Sequence, residues 1–255
     1  MHLFALEFPP LGHIVDWRPF ALEGTPFAIN KVVLVYFFAI VLTAAVFVLG
    51  TRRRLVPTGA QNLAEIAVEF IQREIVLPTI GPSGLGWTPY LLSVFLFIFF
   101  CNIFEIVPFI QMPATARIAL PMLLALLTWV LFNVAGIVAQ GPLHYFKNSL
   151  FPPGVPKLLY ILVAPIELIS TFIVRPFSLM VRLFANLLAG HILLVTFAVL
   201  SAALWTKKWY AVILPAPVLA VVFFTAFEIL VSFLQAYVFT LLTGVYIGGA
   251  LHPEH

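Results

Sequence analysis

The side chains with chemistry to offer are few, and they lie in stretches that should hold none. Arg175, Arg182, Asn186 and His191 interrupt one long apolar run, Glu228 and Gln235 a second, and Asn102 and Glu105 a third. A charge held at mid-membrane costs between ~2.5 and more than 10 kcal/mol, so it persists only where it is paired, hydrated or needed. Arg182, in R-L-F-A-N, has no acid three or four residues to either side. Those are the positions that reach a neighbour on a helix, so its countercharge points to another chain. At about 100° per residue, Arg175, Ser178, Arg182, Asn186 and Ala189 fall within ~40° of one line, with Glu167 about 60° off it. His191 faces the opposite way. Thr225, Glu228, Ser232 and Gln235 make a second polar stripe at i, i+3, i+7 and i+10, and Asn102 and Glu105 are an i, i+3 pair. One polar line holds an arginine, and separate faces hold titratable groups suited to line an aqueous path. No catalytic residue is expected.

Other chemistries lack their residues. No Cys/His cluster has metal-ligand spacing, and the single cysteine, Cys101, has no partner for an intrachain disulfide. No G-x-x-x-x-G-K-[ST] loop occurs, so nucleotide binding by that route is not expected. A net charge of +3 makes no case for nucleic acid. A secondary transporter would show an internal repeat between halves, and none is apparent. A haem carrier would need paired histidines, yet His191 is the only histidine inside an apolar stretch. Arg175 and Glu167 lie near one end of their stretch, where long side chains snorkel to the interface; both that role and a path role stand. Glu105 and Arg117 likewise admit a structural pairing.

The elements that position these residues follow from composition. The 255 residues are 63% hydrophobic and 9% charged, against roughly 25% charged in a soluble domain. Lipid must be the main solvent. The spacing predicts an all-α polytopic membrane protein, a single membrane domain over 1–255, with about five crossing helices and one interfacial amphipathic helix. Residues 1–30, with Asp16, Arg18 and Glu23, form an external lead-in without the pattern of a cleaved signal peptide. Residues 31–50 are the first span, and Arg52, Arg53 and Arg54 after it place that end in the cytoplasm. Residues 59–78 alternate Glu65, Glu69, Arg73 and Glu74 with Leu63, Ile66, Phe70 and Leu77, as an amphipathic helix on the surface or against other helices does. Residues 88–140 are expected as a helical hairpin. Residues 157–251 hold two apolar runs that, as single helices, measure about 72 Å and 62 Å. Upright crossing of a ~30 Å core needs less than half the longer one. They are expected as a strongly tilted hairpin turning near 206–209, shaped to wrap a curved partner.

The run R-P-F-S-L-M-V-R-L-F-A-N-L-L-A-G-H at 175–191 resembles the signature of subunit a, the proton-channel stator subunit of F-type ATP synthases. E-I-L-V-S-F-L-Q-A-Y-V-F-T-L-L at 228–242 is similar to the last helix of that family, and N-I-F-E-I-V-P at 102–108 to its third. The resemblance covers nearly the whole chain. It implies that Arg182 is the family's essential arginine, with Asn186 and Gln235 as polar neighbours. His191 and Glu228 resemble the titratable pair of the outer half-channel, joined by Asn102 and Glu105. Glu167, Ser170, Arg175 and Ser178 are the candidates for the inner half-channel. Arg117 stands near where many members carry a neutral polar residue.

The resemblance further implies a ring of small hairpin subunits (the c-ring), each with one membrane carboxylate, together with peripheral-stalk b subunits and the other ATP synthase subunits. No cofactor or metal is expected. Protonated, a ring carboxylate can face lipid; ionised, it cannot. Two half-channels load and unload it, and Arg182 between them favours its ionised form and repels a leaking proton. Arginine suits this position because it keeps its charge in a dry site, and histidine's ordinary range near neutrality suits a relay. A bacterial plasma membrane is the expected location, ahead of a mitochondrial inner membrane, because nothing marks an organelle.

Overall fold

The structure, a computed structural model, describes residues 29–50, 59–107, 110, 114–151, 156, 159–205 and 214–251. The expectations placed on the lead-in through residue 28, on the 52–54 arginines and on the turn at 206–209 lie outside the described residues. Eight helices carry the fold among the described residues: α1 Lys31–Gly50, α2 Ala60–Ile71, α3 Thr88–Ile103, α4 Ala119–Gln140, α5 Pro142–Leu150, α6 Tyr160–Ile169, α7 Arg175–Trp205 and α8 Pro215–Leu251. A π turn, Gln72–Val76, extends α2, and another, Ser170–Val174, joins α6 to α7 into one helix over Tyr160–Trp205.

Five stretches are long and apolar enough to cross a membrane: Lys31–Gly50, Pro82–Ile103, Ala119–Gln140, Tyr160–Trp205 and Pro215–Leu251. Their outward surfaces stay greasy. Phe37, Val48, Leu126, Leu219, Phe223 and Leu230 are all exposed, a surface that lipid tolerates and water does not. With 46 and 37 residues, the last two helices measure about 69 Å and 56 Å, well beyond a ~30 Å core.

The last helix is the axis of the bundle. α8 packs along α3, α4 and α7 and against the end of α2. The extended contacts of α3 are with α8 and α1, while those of α4 are with α7 and α8. Two helices adjacent in sequence therefore meet chiefly through a third, whose apolar surface competes better for each. α2 is amphipathic as its pattern predicts, and the stripe Ala64, Ile71 and Ile75 is buried against α1, α3 and α8. Small residues permit this: a Cβ at Gly244 would lie 2.7 Å from Thr79 Oγ1, and one at Gly248 would strike the Thr79 carbonyl.

Two departures from the sequence pattern matter for the site. α3 ends at Ile103, so Glu105 stands on the turn beyond it and not on the helix with Asn102. The π turn at Ser170–Val174 is the second. It holds one extra residue, shifting register by about 100°.

Candidate functional site

α7 and α8 run antiparallel, and polar side chains fix their register. Gln235 Oε1 accepts from Asn186 Nδ2 at 2.9 Å, and Gln235 Nε2 donates to the Arg182 main-chain oxygen at 2.9 Å. Seven residues earlier on α8, Glu228 lies against Gly190. A Cβ at Gly190 would stand 2.5 Å from the Glu228 carboxyl carbon and 2.9 Å from Oε2. Only glycine leaves room for the carboxyl at that place.

A buried cluster gathers around Gly190. His191 Nδ1 and Glu105 Oε1 share a hydrogen bond of 3.0 Å, an ion pair whenever the imidazole is protonated. The Glu105 amide donates to the Asn102 main-chain oxygen at 3.1 Å, and Asn102 Oδ1 accepts from Thr115 Oγ1 at 2.8 Å. The Glu105 and Glu228 carboxyls lie close enough to act on each other electrostatically. Asn102, Glu105, His191 and Glu228 are each more than nine-tenths buried. Yet Asn102 Nδ2, Glu105 Oε2 and Glu228 Oε2 have no protein partner among the described residues. Buried polar atoms in that state bind ordered water or carry a function.

Arg182 stands apart from this cluster. It is half-buried on α7, beside exposed Asn186 and Ala189, and about 12 Å along the helix from Gly190. No carboxylate among the described residues forms a salt bridge with it. Its backbone is tied to α8 through Gln235, on a helix face whose neighbours Asn186 and Ala189 are exposed.

Towards the other end of the bundle, the Arg175 guanidinium carbon lies 5.3 Å from the Tyr246 ring centroid, a cation–π contact. Tyr145 on α5 donates to Asn133 Oδ1 at 3.0 Å, and Asn133 Nδ2 donates to the Trp129 carbonyl at 2.7 Å. Glu167, Ser170 and Ser178 are half-buried here. Counting through the π turn moves Glu167 from about 60° to about 40° on the other side of the Arg182 line, and Ser170 from about 120° to about 20°. Constant helical counting had separated these two from the arginine face.

Sequence reasoning missed Thr115, Gly190 and Tyr246. Gly190 was legible as a small residue between Ala189 and His191, but nothing local says that a carboxyl from α8 fills its missing side chain. Thr115 and Tyr246 carry no signal at all, because their contacts are made across the fold. His191 is hydrogen-bonded to Glu105, with Glu228 one residue away at Gly190.

Residues 32–248 match the family model described as ATP synthase A chain. The chain belongs to that family. It is 43% identical over 242 residues to the ATP synthase subunit a of Frankia alni, covering 94% of this chain and 83% of that one. Against the subunit of the same description from Rhodococcus erythropolis it is 44% identical over 237 residues, 91% of this chain and 86% of the other. The corresponding protein of Beijerinckia indica is 39% identical over 245 residues and covers 95% of each. Membership makes the chain an Fo proton-translocating subunit of an F-type ATP synthase, a non-catalytic component of that complex. With five apolar helices long enough to cross and bacterial relatives, it is an integral multi-pass protein of a bacterial plasma membrane.

Proposed function

We propose that this chain forms two aqueous half-channels against a rotating c-ring, with Arg182 separating them and driving deprotonation of each arriving ring carboxylate. One observation carries the reading: a guanidinium with its main chain held by Gln235 and no carboxylate of its own, on an exposed face beside Asn186. A cation left this way in an apolar surface is stable only against a partner's anion or water. The outer half-channel comprises Asn102, Glu105, His191 and Glu228, whose unpartnered buried atoms suit a hydrated path. The inner one comprises Glu167, Ser170, Arg175 and Ser178; the π turn brings the first two towards the arginine face, on which Arg175 and Ser178 already lie.

Protons arrive through the outer cluster, neutralise a ring carboxylate and let it enter lipid. After rotation the carboxylate meets Arg182, whose charge favours the ionised form, and the proton leaves by the inner path. Each proton releases about 2.3 kcal/mol per 100 mV. Arg182 prevents that energy from draining through a direct leak, because its fixed charge repels a hydrated proton. The whole chain acts as one membrane domain, N-terminus outside and C-terminus inside, beside the ring and the peripheral-stalk b subunits.

Replacing Arg182 with alanine in the intact complex tests this. Proton-driven ATP synthesis is expected to vanish while the complex still assembles. Synthesis at the wild-type rate would overturn the mechanism.

A further inference from the structure

Between the outer cluster and Arg182 the structure leaves a gap that named side chains do not span. Glu228 lies at the level of Gly190 and Gln235 at the level of Arg182 and Asn186. They are about 10.5 Å apart along α8. A proton moves along hydrogen bonds of about 2.7–2.8 Å, so it cannot cross in one step. One side chain on the same face divides the interval. Ser232 is about 6 Å along the axis from Glu228 and about 4.5 Å from Gln235, and all three lie within ~60° of one another around the helix.

The Ser232 hydroxyl is unusual for this helix. Serine and threonine inside membrane helices commonly return their hydroxyl proton to the carbonyl four residues back. Thr225, Thr240 and Thr243 of α8 do so, to Val221, Ala236 and Phe239 at 2.7, 2.8 and 2.9 Å. Ser232 does not. It is 0% exposed, and its Oγ has no hydrogen-bond partner among the described residues. A buried hydroxyl without a partner is destabilising, so its presence on this face calls for a ligand. Glu228 Oε2, one turn away on the same helix face, is in the same state.

We infer that Ser232 is a further proton-relay residue, joined through one water to Glu228 and through another to the space beside Gln235 in which a ring carboxylate accepts the proton. Two hydrogen bonds through a water span about 5.5 Å, the scale of both axial intervals. Ser232 Oγ takes a proton from the water on the Glu228 side while its own O–H proton passes to the water on the other side. The hydroxyl is re-formed with no net charge, and rotation about its C–O bond resets it. The inference rests on the proposed outer half-channel and adds its last step.

The test compares Ser232→Ala, Ser232→Gly and Glu228→Gln in the whole complex. The readout is passive proton conductance of vesicles stripped of the catalytic sector and driven by a potassium diffusion potential. Alanine fills the site with a methyl group and is expected to slow conductance about fivefold, the weight of one lost buried hydrogen bond. Glycine opens roughly the ~30 Å³ that one water occupies, so a water takes over part of the relay and conductance exceeds that of the alanine variant. A packing role for Ser232 predicts the reverse order, because alanine is the better helix former. Alanine conducting like wild type, or glycine as slow as alanine, overturns the relay. Should Glu228→Gln slow conductance while Ser232→Ala does not, only the Ser232 step falls. Should neither slow it, the proposed outer half-channel falls with it.

Discussion

The closest approach between α7 and α8 in the site is at Gly190, where the Glu228 carboxyl occupies the place of a side chain. In Gly190→Ala the new methyl would lie 2.5 Å from the Glu228 carboxyl carbon. Non-bonded carbons settle near 3.5 Å or more and Glu228 Oε1 lies nearer still, so the carboxyl must retreat by at least about 1 Å. It sits at the end of a flexible side chain and can move, at about 0.5–1.5 kcal/mol for an off-rotamer angle and about 1–3 kcal/mol for overpacking in all. Alanine also favours helix by about 1 kcal/mol over glycine, so the net loss stays within about 2 kcal/mol and the complex assembles. Function responds more strongly than stability. Misplacing a reacting group by 1 Å costs up to about a hundredfold, and with water able to rebridge part of the gap, roughly a tenfold fall in proton conductance is expected.

Glu228→Asp shortens the side chain by one carbon, about 1.5 Å, comparable to the retreat required. The double variant Gly190→Ala with Glu228→Asp is therefore expected to conduct better than Gly190→Ala alone. This non-additivity is the signature of direct contact. The assay is potential-driven proton uptake into vesicles, with complex content measured in parallel. Wild-type conductance in Gly190→Ala, or simply additive losses in the double variant, would refute the claim that the Glu228 carboxyl must stand against α7 at this point.

Two further outcomes follow from the same contacts. Gln235→Leu keeps the volume but removes the hydrogen bonds to Asn186 and the Arg182 carbonyl. About 1–3 kcal/mol of local order is lost, and ATP-driven pumping, read by a pH-sensitive dye, is expected to drop about tenfold; unchanged pumping would remove Gln235 from the arginine's support. Tyr246→Leu deletes the cation–π contact with Arg175, worth about 0.5–2 kcal/mol. The solubilised complex should unfold at lower temperature, with Tyr246→Phe close to wild type. Equal melting of the phenylalanine and leucine variants would show that the ring face contributes nothing.

Much of this protein is written in one dimension. Composition alone demands lipid as solvent, because a chain with 9% charged residues cannot cover itself for water. Apolar runs of membrane length mark the five crossings, and the cost of a charge in hydrocarbon singles out Arg182 from sequence position alone. Helical counting also separates His191 from the arginine face, and the structure puts that imidazole in the buried cluster with Glu105.

Tertiary structure decided what periodicity cannot encode. A constant 100° per residue placed Glu167 and Ser170 off the arginine line, whereas the π turn Ser170–Val174 turns them towards it. Glu105 reads as a helix residue one turn past Asn102. In the fold it stands on a turn and reaches His191, far away in sequence. The chain order suggests that residues 88–140 pack as a hairpin, while α8 gathers α3 and α4 around itself. Gly190 and Thr115 matter only because Glu228 and Asn102 arrive from other helices. Burial and period are properties of a single segment, so sequence reports them. Which polar side chain meets which depends on how helices cross and slide against one another, and that is settled only when the whole bundle packs.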